Sequence, residues 1–123
     1  MTGPERRAWV RRAVATLTPI LRVDGWDITV RFDGRMRNRA DCEAAPEYRT
    51  ATVRFNLTRI PEEELAADVI HELLHIHIWS LAHAADVLCE ADKTKREWVR
   101  VEEERLATTL EGILTPLLRE RLA

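Results

Sequence analysis

The chain is predicted to form one α+β domain over residues 1–123: an N-terminal helix, a small sheet of about three strands, a buried central helix and a C-terminal helix. Three observations predict it. Apolar residues recur at helical spacing near both ends of the chain, two stretches between Trp26 and Leu57 alternate with period two, and a long apolar segment opens after Pro61. With 46% hydrophobic and 33% charged residues the composition is globular, and 123 residues are enough for one core.

From Pro4 to about Leu17, the residues Trp9, Val10, Ala13, Val14 and Leu17 make an apolar stripe, and Arg6, Arg7, Arg11 and Arg12 a solvated side. Pro4 suits a first helical turn, and Thr18-Pro19 is expected to end the helix. After the Asp24-Gly25 turn, Trp26, Ile28, Val30 and Phe32 alternate with Asp27, Thr29 and Arg31, a half-buried strand closed by Asp33-Gly34. Arg35 to Tyr48 is polar and contains Pro46, leaving room for one short strand around Ala40 to Glu43. Thr50 to Leu57 alternates again, with Val53, Phe55 and Leu57 on the inner side.

Pro61-Glu62-Glu63-Glu64 starts the central helix, since proline fits the first turn and acids complement the positive end of the helix dipole. Leu65, Val69, Ile70, Leu73, Leu74, Ile78, Trp79 and Leu81 are apolar around much of its circumference, which marks a buried helix. A charged turn near Lys93 to Arg96 precedes the last helix, carrying Val99, Leu106, Leu110, Ile113 and Leu117. Gly112 and Thr115-Pro116 predict a break there, with Thr115 capping a short terminal helix. Trp79, Trp98 and the C-terminal leucines read as core rather than as a dimer surface; the oligomeric state is not legible.

A net charge of −2 argues against a general nucleic-acid binder. No apolar run approaches the roughly 20 residues of a membrane span. Met1 to Arg7 leads into an arginine-studded helix rather than a signal peptide, so the expected compartment is the cytoplasm. Cys42 and Cys89 lack CxxC spacing and are expected to be reduced thiols.

The chemistry is concentrated in His71-Glu72-Leu73-Leu74-His75. Residues four apart on a helix are turned by about 40° and separated by about 6 Å along the axis, so His71 and His75 project from one face and can share a metal. Glu72 can take the proton of a water at that metal, because zinc lowers the pKa of such a water to about 7. This is the HExxH arrangement of zinc peptidases.

A catalytic zinc takes three protein ligands. The metzincin pattern is absent, because its glycine and third histidine positions are Ile78 and Leu81. His77 is turned about 200° from His75, and His83 lies about 12 Å further along the axis, so both read as structural or surface residues. Glu102-Glu103-Glu104 offers the ligand instead. Relative to the stripe centred on Leu106, Leu110 and Ile113, Glu103 lies about 40° away, Glu102 about 60°, and Glu104 faces outward. Glu103 is the first choice and Glu102 the second. Asp68, one turn before His71, reads as a surface acid, with a hydrogen bond to a histidine as the alternative.

The order of helix, strands, HExxH helix and glutamate-bearing helix, spanning essentially the whole chain, resembles the gluzincin peptidases. It is most similar to the minimal single-domain minigluzincins and related phage or prophage metallopeptidase-like proteins. That resemblance implies a zincin-like fold in which His71, His75 and Glu103 bind Zn2+, Glu72 is general base and proton shuttle, and a peptide or protein is the substrate. It further implies that the strand Thr50 to Leu57 pairs with extended peptide. The chain lacks the fuller glutamate-helix signature and the downstream domain of the thermolysin-like enzymes; Tyr48 or His83 could supply the transition-state donor of that domain, although each reads first as structural. Two other expectations stay open: a dedicated protease of a mobile-element repressor, and a catalytically silent zinc domain acting in protein interaction. A Spartan-type protease acting on DNA-bound proteins is disfavoured, since no basic DNA-binding segment is visible.

Overall fold

Thr2 begins the first helix by a capping box: its hydroxyl accepts the Glu5 N–H, and the Glu5 carboxylate accepts the Thr2 N–H. The computed structural model describes residues 1–123, running α1 (Gly3–Ile20), β1 (Asp27–Phe32), β2 (Ala40–Ala45), β3 (Thr50–Phe55), a single 3-10 turn over Glu62–Glu64, α2 (Leu65–Leu88) and α3 (Lys93–Leu122). The α+β class and the three-stranded sheet agree with the sequence reading. Pro19 does not end α1; it lies inside the last turn. Arg6 is not simply solvated, because it donates to the carbonyls of Leu57 and Ile60 and ties α1 to the loop before α2.

The sheet order is β1-β3-β2, with β1 parallel and β2 antiparallel to β3. Inward side chains form rows across it: Ile28, Ala51 and Ala44; Val30, Val53 and Cys42; Phe32, Phe55 and Ala40. On the other face Asp41 pairs with Arg54 directly across the ladder. β3 ends at Phe55, so Leu57 falls outside it. Asn56, 1% exposed, is fastened instead by donating to the Met36 carbonyl and accepting from Thr58.

The core lies between α1, the sheet and the first half of α2, around Val10, Leu17, Val53, Phe55, Ile70, Leu73 and Ile76. α2 is longer than its apolar run suggested, reaching Leu88 before Glu90 (φ 52°) reverses the chain and Asp92 caps α3 by accepting the Lys95 N–H. The expected charged turn at Lys93 to Arg96 is therefore already helix. α3 also runs unbroken through Gly112 and Pro116, and Thr115 is no cap: its hydroxyl donates back to the Glu111 carbonyl inside the helix. An internal proline costs about 3 kcal/mol. Packing of Leu122, and of the partly buried Leu114 and Leu118, on the core works against this cost.

The inward face of α3 is Glu103, Ala107, Leu110, Leu114 and Leu118, turned by about 70° from the stripe read in the sequence. Leu106, Ile113, Leu117 and Trp98, expected in the core, are exposed. No helix is long and apolar enough to cross a membrane.

Candidate metal centre

Because Val69, Ile70, Leu73, Leu74 and Ile76 occupy the core side of α2, the faces of His71 and His75 are left looking across to α3. Their Nε2 atoms lie 3.2 Å apart, with ring centroids at 4.9 Å. Glu104 closes the arrangement: its Oε1 is 2.7 Å from His71 Nε2, and its Oε2 is 3.3 Å from His75 Nε2. One ligand atom from each of these three side chains falls within 4.8 Å of the others. Bonds of about 2.0–2.1 Å at tetrahedral angles put ligand atoms about 3.3 Å apart, so the donor set and its spacing fit a zinc-sized ion.

Glu103 sits elsewhere on the same histidine. Its Oε1 is 3.1 Å from His75 Nδ1, the nitrogen opposite the converging Nε2. A carboxylate there accepts the Nδ1–H, which fixes the tautomer that leaves Nε2 free as a ligand. Glu111 stands in a similar relation to His71, with Oε1 3.9 Å from Nδ1. The expected orientation of the Glu102-Glu103-Glu104 run is thus corrected. Glu104, although 60% exposed, reaches both histidines, Glu103 reaches the outer nitrogen of His75, and Glu102 pairs with Arg105. Glu103 lies on the inward side as expected, whereas the α3 stripe read in the sequence, about 70° off, points Glu104 outward; weighing Ala107 with Leu110, Leu114 and Leu118 brings Glu104 toward α2 as well. Glu111, seven residues after Glu104, shares its side of the helix.

Glu72 is 6% exposed. Burial, reinforced by Glu104, Asp41 and Asp68, raises its carboxyl to about 8, which favours the protonated form at neutral pH; a cation nearby would oppose that shift. Cys42 of β2 lies near Glu72 and Asp41; burial first and Glu72 second push its thiol up to about 12, which leaves it unreactive. Neither cysteine is in a disulfide.

The remaining candidates are placed as follows. Asp68 does not meet a histidine nitrogen: it takes a two-pronged hydrogen bond from Arg39, at 3.0 Å from Nε and 2.9 Å from Nη2, and so fastens the chain leading into β2 to α2. Burial raises its carboxyl pKa, with Arg39 opposing. His77 bonds the Leu21 carbonyl at the end of α1, in keeping with a structural role. His83 stacks on Trp79 at 6.0 Å, and Tyr48 is 77% exposed in the β2–β3 turn. β3 is the middle strand and is paired on both sides, so it has no edge to offer a peptide; of the free edges, β2 is the one packed against α2.

No protein-family model matches the chain, and no curated protein or solved structure matches it either.

Proposed function

We propose that the chain is a zinc-dependent metallopeptidase of the zincin-like, gluzincin-related type, working on a peptide or protein in the cytoplasm. One observation carries the reading: two Nε2 atoms and a carboxylate converge beside a buried glutamate that follows the first histidine. His71, His75 and Glu104 would hold the ion, and Glu103 would orient His75 from behind. When bound, zinc supplies a Lewis acid that lowers the pKa of water and polarises the scissile carbonyl. Glu72 then works as general base and proton carrier, taking a proton from the attacking water and giving it to the leaving amine. An extended substrate has the outer edge of β2 available for main-chain pairing, in place of the strand first expected. Two unpaired cysteines fit a reducing compartment.

Metal analysis and peptide-library cleavage, on wild type and Glu72→Gln, test this. Zinc retained by both proteins with hydrolysis only by wild type is expected; equal activity of Glu72→Gln would sink the proton role. A second reading, a zinc domain without catalysis, is favoured by the ligands coming from two different helices, which an ion would clamp together. Chelation that lowers the melting temperature of a protein that cuts no member of the library selects that reading.

A further inference from the structure

α3 has two apolar faces, and the fold uses only one. Trp98, Leu106, Ile113 and Leu117 stand on the outer face, 69%, 44%, 56% and 70% exposed, and Leu81 of α2 flanks them at 72%. Between the two helices a groove of about 330 Å³, walled by Ile78, Leu81, Trp98, Val99 and Leu106, continues the patch. Positions 98, 102, 106, 109, 113 and 117 step along α3 by three and four, the spacing of a helix-pairing seam, interrupted only by Glu102 and Thr109.

Area decides what the face fits. At about 150–250 Å² per large side chain, these five expose roughly 500–600 Å². That is the upper end of the roughly 300–600 Å² patch usual on a monomer, and it supplies most of the approximately 800 Å² per partner of a standard interface before any rim is added.

We propose that this face is the self-association surface, on which a second copy of the chain packs α3 against α3 about a twofold axis near Thr109. The pair runs antiparallel, which opposes the helix dipoles and sets Leu106 of one copy against Ile113 of the other. On the helical wheel Glu104 is turned about 160° from Leu106, so pairing leaves its carboxylate and the converging Nε2 atoms uncovered, while Glu103, about 60° from Leu106, lines the groove that the second copy covers. The proposal needs no ion at the histidines.

Sedimentation equilibrium of the full chain over a range of micromolar concentrations tests it. Wild type is expected at twice the monomer mass. Ile113→Lys and Leu106→Lys are expected as monomers with unchanged far-UV circular dichroism, because both side chains are already exposed in the protomer. Val101→Lys, on a different exposed side of α3, is expected to remain dimeric. A wild type that stays monomeric throughout overturns the proposal and leaves the face to another partner; so does an Ile113→Lys dimer, or a Val101→Lys monomer.

Discussion

Exchanging which glutamate is removed separates two assignments that the chain makes easy to confuse. Glu104 touches the Nε2 atoms of both histidines, at 2.7 and 3.3 Å, whereas Glu103 touches only His75 Nδ1, at 3.1 Å. Glu104→Ala therefore takes away a donor atom and leaves two imidazoles to hold the ion. Glu103→Ala takes away only the group that orients one of them. Losing such an outer partner costs about 10–100-fold in metal affinity, or about 1.4–2.8 kcal/mol at about 1.4 kcal/mol per decade. Glu104→Ala is expected to lose more than a hundredfold, and to change the cobalt d–d spectrum because the coordination sphere itself changes. The assay is competition against a chromophoric zinc chelator at fixed pH, with cobalt spectra on the same proteins. If Glu103→Ala loses more affinity than Glu104→Ala, the order of ligand and support is reversed and the geometric reasoning fails.

In the metal-free protein Glu72 has a pKa of about 8 against the ordinary 4.5. The folded state thus holds this proton more tightly than the unfolded chain does. The contribution to stability is complete below about 4.5 and declines as pH rises through about 8, by a few kcal/mol in all. Urea unfolding of metal-stripped protein at pH 5 and pH 9 should show that decline in wild type and a much flatter profile in Glu72→Gln; parallel profiles would refute it. Arg39→Ala leaves the Asp68 side chain, 18% exposed, without its two-pronged partner, and should cost about 1–3 kcal/mol in the same assay. An unchanged midpoint would show that water replaces the arginine at no cost.

Elements with strong local signals were legible in the residues themselves. Ile28, Val30 and Phe32 and then Val53 and Phe55 alternate as half-buried strands must. Pro61 with its three glutamates marks the approach to α2, although the acids form a 3-10 turn before the α-helix proper. What failed was local punctuation read as decisive. Pro19 and Pro116 are tolerated within helices because neighbouring turns pack well enough to absorb one missing hydrogen bond. The outer apolar stripe of α3 failed for another reason: hydrophobic periodicity reports that a face is apolar, not what covers it.

The same division runs through the candidate site. His71, Glu72 and His75 are brought to one helix by sequence alone, because 3.6 residues per turn puts side chains four apart on one face. Which acid meets them depends on how far α3 is rotated against α2. That rotation is set by long-range packing of Ala107, Leu110, Leu114 and Leu118, and within three consecutive glutamates a turn of about 100° per residue exchanges a ligand position for a supporting one. The sheet divides likewise. β1 and β3 could be read from their own alternation and β2 only as room for a short strand, but the order β1-β3-β2, which puts β3 in the middle and leaves the edge of β2 free beside α2, arises only from pairing between residues distant in the chain.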